Sequence, residues 1–202
     1  MAVITISREY ASGGRRLGRT LAKKLNYQYV DKSLFQKIAE DLNVSQKNLE
    51  SFEKSREYRI SNIFSKLFNR DYVQRIVGRD KRVVEEKEYQ DSLKHLILET
   101  TKEDNVVIIG RAAYFFLKDT PNCFHIRLSA PKDWRKRYAV ANLNIPEHQA
   151  ENVLERRDIN SLWFRRLICG EGYDSPHFFH LTLNMGFIPP EKAIDMIILL
   201  MS

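Results

Sequence analysis

Val3-Ile4-Thr5-Ile6-Ser7-Arg8-Glu9-Tyr10-Ala11-Ser12-Gly13-Gly14-Arg15-Arg16-Leu17-Gly18-Arg19-Thr20-Leu21-Ala22 decides how this chain is read. It begins as a short apolar, β-branched run, the composition of a strand buried on both faces. Ala11-Ser12-Gly13-Gly14 then supplies a loop of small residues, after which Leu17, Leu21 and Leu25 fall at helical spacing. Strand, glycine loop and helix in this order bring backbone N–H groups together on an anion at a helix N-terminus. Arg15 and Arg16 stand at the loop-to-helix corner, where the helix dipole is already positive, and their charge is tolerable there if a multiply charged anion is held. The stretch reads as a phosphate-binding loop with Ser12, Gly13, Gly14, Arg15, Arg16 and Leu17 as its candidate residues; a plain glycine turn is the alternative.

Set against the general phosphate-loop pattern G-x-x-x-x-G-K-[ST], Gly14-Arg15-Arg16 falls on G-K-[ST] and Glu9 on the first glycine. Arg15 takes the place of the lysine, and Arg16 stands where a magnesium-binding hydroxyl is expected. Ile6-Ser7-Arg8-Glu9-Tyr10-Ala11-Ser12-Gly13-Gly14-Arg15 resembles the opening of the cytidylate kinase-like family, a branch of the nucleoside monophosphate kinases with I-S-R-x-x-G-S-G-G-R in this place. The arginine in place of lysine is a habit of that family. Ala11 in place of its glycine is a local departure.

Composition places the chain among ordinary α/β domains. Its 202 residues are 43% hydrophobic and 29% charged, enough for one full core with an inserted helical segment. No apolar run approaches the ~20 residues of a membrane span, and the opening strand is unlike a signal peptide. Cys123 and Cys169 have neither metal spacing nor a disulfide framework, so the expectation is a cytoplasmic protein with incidental thiols. The net charge is +7, and residues 1–25 alone carry six Lys/Arg against Glu9. Charge gathered around the loop favours a phosphorylated small molecule over a nucleic-acid-binding module, which calls for a basic stripe with exposed aromatics and which the basic pI near 9.4 keeps as a lesser alternative.

Further along, Tyr27-Gln28-Tyr29-Val30-Asp31 reads as a second strand, and Lys32 to Leu42 as a helix. Residues 45–103 hold one glycine and no proline and read as two or three long helices. Their apolar positions Tyr58, Ile60, Ile63, Phe64, Leu67 and Phe68 fit internal packing, a homodimer surface or, for one of them, base stacking. Val106–Arg111 is a buried third strand with Gly110-Arg111 at its carboxyl end, where open α/β sheets bind ligands. Cys123–Ser129 alternates as a fourth strand exposed on one face. Pro131 and Pro146 open two helices, Gly170–Pro176 is a turn-rich loop, Phe179–Asn184 is a fifth strand, and Pro190 starts a closing helix. The five histidines have no acid or nucleophile at telling spacing and receive no catalytic role.

The resemblance spans the whole chain and implies a single three-layer α/β P-loop NTPase domain. It carries five mostly parallel strands, a helical acceptor-binding insert at about 36–103 and lid helices at about 132–170. It implies an ATP- and Mg2+-dependent nucleoside monophosphate kinase-like phosphotransferase, with a nucleotide donor and a small phosphorylated acceptor as partners. Arg15 and the lid residues Arg157, Asp158 and Arg165 are then catalytic, Arg15 also binds phosphate, and Asp31 and Arg111 are acceptor-binding. Asp31 reads equally as an N-cap, Arg111 as a buried structural arginine, and the lid arginines as ion-paired surface residues. The family's D-K-x-R and paired tyrosines are replaced at Ile159, Ser161 and Trp163-Phe164. No residue is assigned as a direct metal ligand; Asp31 or Glu9 acting through water is what remains. The altered lid and the missing loop hydroxyl keep open a non-catalytic nucleotide-binding sensor.

Overall fold

The computed structural model describes residues 2–32, 90–91, 93–102, 105–173 and 175–201. The chain divides into two units, Met1–Leu34 with Ile97–Ser202, and Phe35–Leu96. In the second, only residues 90–91 and 93–96 are described, and they are helical. Most of the expected helical insert, the helix over 32–42 and the aromatic positions Tyr58 to Phe68 therefore lie outside the described residues.

The first unit is built on a five-stranded sheet. Its elements run β1 (Val3–Arg8), α1 (Gly14–Leu25), β2 (Gln28–Val30), β3 (Val106–Ile109), α2 (Ala113–Phe116), β4 (Cys123–Ser129), α3 (Lys132–Leu143), α4 (Glu147–Cys169), β5 (Leu181–Asn184) and α5 (Pro190–Leu200). The strand order is β2-β3-β1-β4-β5 and every pairing is parallel. The order reverses at β1, so the crevice at its carboxyl end, flanked by β3 and β4, is the switch point where such sheets receive ligands.

One face of the sheet packs Ile4, Ile6, Val107, Ile109, Ile126, Leu128 and Leu183 against Leu17 and Leu21 of α1 and Ala193, Ile194 and Ile197 of α5. The opposite side chains of β1 and β3, Val3, Thr5, Val106 and Ile108, are buried as well. This is why both strands are continuous apolar runs. Gly18 lets α1 approach the sheet closely, since a Cβ there would run into Ile109 and Tyr29. Exposed Lys24 of α1 pairs with Asp195 of α5 at 2.7 Å.

Three strands are shorter than the sequence indicates. β3 stops at Ile109 because Gly110, Arg111 and Ala112 all take positive φ, and β5 starts only after a 3-10 turn at Pro176–Phe178. β2 loses Tyr27 and Asp31, and Asn26 before it ends α1 in the left-handed conformation. The alternation along β4 is also misleading. His125, expected on an exposed face, is 3% exposed and shares a 2.8 Å hydrogen bond with Thr5 through Nδ1. The His180 ring stands beside it and accepts the His125 backbone N–H.

Burial, then the neighbouring His180, lowers the His125 pKa from 6.5 to about 4, against a small opposing pull from the Leu117 carbonyl. The native ring therefore stays neutral where the unfolded one takes a proton. Its contribution to stability is complete above about pH 6.5 and is lost as pH falls toward 4, at about 1.4 kcal/mol per unit. Urea unfolding at stepped pH should show this slope in the parent and a flatter one in His125→Asn, which does not titrate; equal slopes would contradict it.

Candidate functional site

The loop after β1 is shaped to present backbone donors. Gly13 is the N-cap of α1 at φ 81°, no side chain caps the helix, and no acid lies in its first turn. Helix N-termini are normally satisfied by a Ser, Thr, Asp or Asn side chain, with acids favoured nearby. Here the first turn carries Arg15 and Arg16, both exposed. Ser12, almost fully buried, gives its hydroxyl to the Glu9 carbonyl at 2.9 Å and so fixes the bend of the loop. Leu17 corrects the sequence reading: its side chain is in the core and its N–H donates to Gly13. The outward donors of the loop end at Arg16.

Beneath the loop runs Arg8, the last residue of β1. A Cβ on Gly14 would meet Arg8 Cγ at 3.1 Å and Cβ at 3.2 Å, and one on Gly110 would collide with the Arg8 guanidinium. Arg8 therefore passes from under Gly14 to the end of β3. Desolvation lowers its pKa to about 10, and the charges of Arg15, Arg111 and Arg165 push the same way. Gly110, Arg111 and Ala112 have φ of 78°, 58° and 52°. Two non-glycine residues in succession at positive φ cost on the order of 1–3 kcal/mol each, strain that gathers at functional sites. The turn they make sends Arg111 back toward the loop, with its guanidinium 5.6 Å from the Phe164 ring of α4. Arg165, one residue on, lies 5.3 Å from the Tyr173 ring.

The loop is also held from the side of α3 and α4. Arg135, only 7% exposed, gives Nη1 to both oxygens of Asp158 at 2.9 and 2.8 Å and to the Tyr10 carbonyl at 3.2 Å. Its Nε lies 3.7 Å from Glu9 Oε2, which accepts the Ala130 N–H at 2.9 Å. Tyr138 lays its ring against Gly13, and Arg157 lies over the Tyr10 ring. The Ala11 methyl packs with Ala139 and Leu154.

Of the residues expected from the sequence, the structure thus gathers Ser12, Gly13, Gly14, Arg15, Arg111 and Arg165 around Arg8, with Arg16 at the rim. Arg157 touches the flank of the loop. Asp158 is engaged by Arg135. Asp31, 7% exposed, accepts from the Tyr29 hydroxyl at 3.3 Å and lies 3.7 Å from Arg19, beside α1. Arg8, Arg135 and Tyr138 were given no site role from the sequence, and Glu9 was expected only as an acid acting on metal through water. Of the first three, Arg8 left a trace in the sequence, as part of the I-S-R motif.

A magnesium ligand set is not formed by the described residues. Arg16 occupies the hydroxyl position, the Ser12 hydroxyl is committed to Glu9, and Thr20 Oγ1 donates to the Arg16 carbonyl. Glu9 is held by Ala130 and Arg135, and Asp31 by Tyr29 and Arg19. No group of three His, Cys, Asp or Glu side chains among the described residues could hold a metal ion. Nor, among them, is any helix long and apolar enough to cross a membrane.

Comparison with known proteins agrees with this geometry. A family model described as the cytidylate kinase-like family matches residues 3–186. No curated protein matches the sequence. Among solved structures, an uncharacterized protein from Eubacterium ventriosum ATCC 27560 aligns at TM-score 0.68 and 18% identity, over 100% of this chain and 98% of that one. A gluconokinase from Sinorhizobium meliloti 1021 aligns at 0.54 and 10% identity, over 99% and 91%. Shikimate kinase from Acinetobacter baumannii, in complex with shikimate, aligns at 0.52 and 17% identity, over 99% and 92%. At these identities the structural likenesses establish the fold, a three-layer α/β phosphate-loop architecture.

The Arg135 network makes a stability prediction. Arg135→Met leaves Asp158 and the Tyr10 carbonyl without their donor, and should cost about 2–4 kcal/mol in urea unfolding, somewhat less than a fully buried pair because Asp158 is partly exposed. Asp158→Asn keeps an acceptor for Arg135 and should cost about 1 kcal/mol. Equal losses would mean that the pair, and not the wider anchoring by Arg135, is what matters.

Proposed function

Because this chain belongs to the cytidylate kinase-like family, we propose that it is a nucleotide-dependent phosphotransferase. Its reaction is transfer of the γ-phosphoryl of ATP to a nucleoside monophosphate or a similar small phosphorylated acceptor. The observation that carries this reading is the uncapped N-terminus of α1 at the switch point of the sheet, with Arg15 in its first turn and the charges of Arg15, Arg111 and Arg165 all acting on Arg8. Phosphoryl transfer asks the protein for in-line positioning and for cations around the equatorial oxygens, with little covalent chemistry. The Ser12 N–H is taken by the Glu9 carbonyl at 3.4 Å, so the amides of Gly13 to Arg16 and the Arg15 guanidinium hold the donor phosphates. Arg111, whose planar fork suits a bidentate contact, holds the acceptor phosphate. Arg165, whose charge acts on Arg8, neutralises charge on the transferring group with Arg157 from the flank of the loop, and Asp158 orients α4 through Arg135.

The lack of a magnesium ligand set among the described residues and the engagement of Asp158 by Arg135 favour a second reading, a nucleotide-binding sensor without turnover. Transfer from labelled ATP to a panel of nucleoside monophosphates separates the two. The phosphotransferase should turn over, below the ~1–100 s⁻¹ usual for kinases because its loop lacks the hydroxyl. Tight ATP binding with no transfer to any acceptor leaves only the sensor.

Binding measurements test the residue roles. Arg15→Ala should weaken ATP binding by about 1.5–3 kcal/mol with little change in fold stability, and unaltered affinity by calorimetry would remove the loop assignment. Arg111→Lys keeps the charge and loses the fork, so it should raise the acceptor requirement more than the donor requirement. Since arginines meet the phosphate charge here, ATP should still bind measurably in EDTA; complete loss of binding would show that a metal is required after all.

A further inference from the structure

Two arginines at this site are sheltered from water, and only one has a partner. Arg135 is matched by Asp158, Glu9 and the Tyr10 carbonyl, as a structural arginine should be. The Arg8 side chain makes no hydrogen bond or ion pair with any described residue. The charges that act on it most belong to Arg15 and Arg111, with Tyr29 pulling weakly the other way. A desolvated guanidinium between two others destabilises the ligand-free fold. The backbone is nevertheless built to admit it, since both Gly14 and Gly110 lack the side chain that would block its path.

We propose that Arg8 is a substrate-binding residue shared by both halves of the site, holding the phosphoryl group as it passes from donor to acceptor. The inference rests on the phosphotransferase reading above and gives a role to Arg8, which that reading does not use. Arg8 begins beside the donor loop at Gly14 and ends against Gly110, next to Arg111. A group bound by its fork is therefore in reach of both phosphate sites. In the transfer an oxygen of the acceptor monophosphate, already anionic, forms a bond to the γ-phosphorus of ATP. The bond from that phosphorus to the β–γ bridging oxygen breaks, and its electron pair leaves on ADP. No proton needs to move. Arg8 donates hydrogen bonds to the equatorial oxygens throughout and stays protonated.

The test uses the full chain with inorganic tripolyphosphate, ATP and cytidine monophosphate as probes, read by thermal shift and calorimetry. Arg8→Met, which keeps the stem and removes the charge, should melt at or above the parent without ligand. Its affinities for both tripolyphosphate and cytidine monophosphate should fall at least about tenfold, as loss of a charge-assisted fork implies. Arg111→Lys should weaken the monophosphate more than tripolyphosphate. If Arg8→Met melts well below the parent with both affinities intact, or if only one affinity falls, Arg8 is not a shared ligand. Should Arg8→Met fail to fold, Arg8→Lys serves: it should keep the parent's melting temperature and lose affinity for both probes, and unchanged affinities overturn the proposal. A parent that responds to neither tripolyphosphate nor ATP overturns the phosphotransferase reading and this inference with it, whereas a responding parent and an equally responding Arg8→Met overturn the inference alone.

Discussion

Positive charge gathered at the carboxyl end of β1 is the constraint to which the rest of the site conforms. The charges of Arg15, Arg111 and Arg165 act on Arg8 beside a helix N-terminus that is itself positive. Such an arrangement raises the free energy of the ligand-free protein, and the neighbouring backbone adds to it. Gly110, Arg111 and Ala112 all take positive φ, and so do Ala11 and Gly13 on the loop side. Strain and like charge in one place are what a site prepared for a multiply charged anion looks like before the anion arrives.

Tolerating that strain requires rigid surroundings, and these come from two directions. Below, β1 pairs with β3 from Val3 to Ile6 and with β4 from Val3 to Arg8, so the strand end that carries Arg8 is fixed by the β4 ladder. From the flank, Arg135 ties the loop to α3 and α4 by bonding the Tyr10 carbonyl and Asp158 while facing Glu9. The Ala11 methyl shows the same logic on a small scale. A left-handed φ disfavours any side chain, but this methyl is buried against Ala139 and Leu154, and burial of one methyl recovers about 0.8 kcal/mol of that penalty. The glycine usual in the family would relax the backbone and loosen the contact with the helices.

Much of this fold is legible in the sequence because its signals are local. Buried parallel strands announce themselves as apolar runs, and prolines and glycines mark where helices begin and loops turn. The site is legible to the extent that its backbone has a motif: Gly13, Gly14 and Gly110 are each followed by an arginine within two residues. What could not be read depends on which strand lies beside which. Nothing local says that Arg8 ends against Gly110, because that contact exists only once β3 is inserted between β1 and β2. His125 was placed on the wrong side of burial for the same reason, since its partner Thr5 is 120 residues away. Glu9, read as an intrusion on a glycine position, receives the Ala130 N–H at the end of β4, a task that no pattern in its own neighbourhood reveals.

The altered lid is the point at which the family pattern and this chain differ most, and helix geometry softens the difference. Ser161 stands at a position where the family has a basic residue, but Arg157 and Arg165 lie four residues to either side of it. In an uninterrupted helix such as α4, residues four apart share a face, so one stripe carries arginine one turn below and one turn above the vacant position. The two arginines are directed differently by aromatic partners: Arg157 by Tyr10 of the loop, and Arg165 by Tyr173 beyond the end of the helix. Phe164, in place of a tyrosine, keeps the flat ring on which the Arg111 guanidinium rests and gives up only the hydroxyl. Charge and stacking are thus preserved on this face of α4 while their positions move by a turn. A family pattern written residue by residue registers that as a loss, although the charge still falls within reach of Arg8.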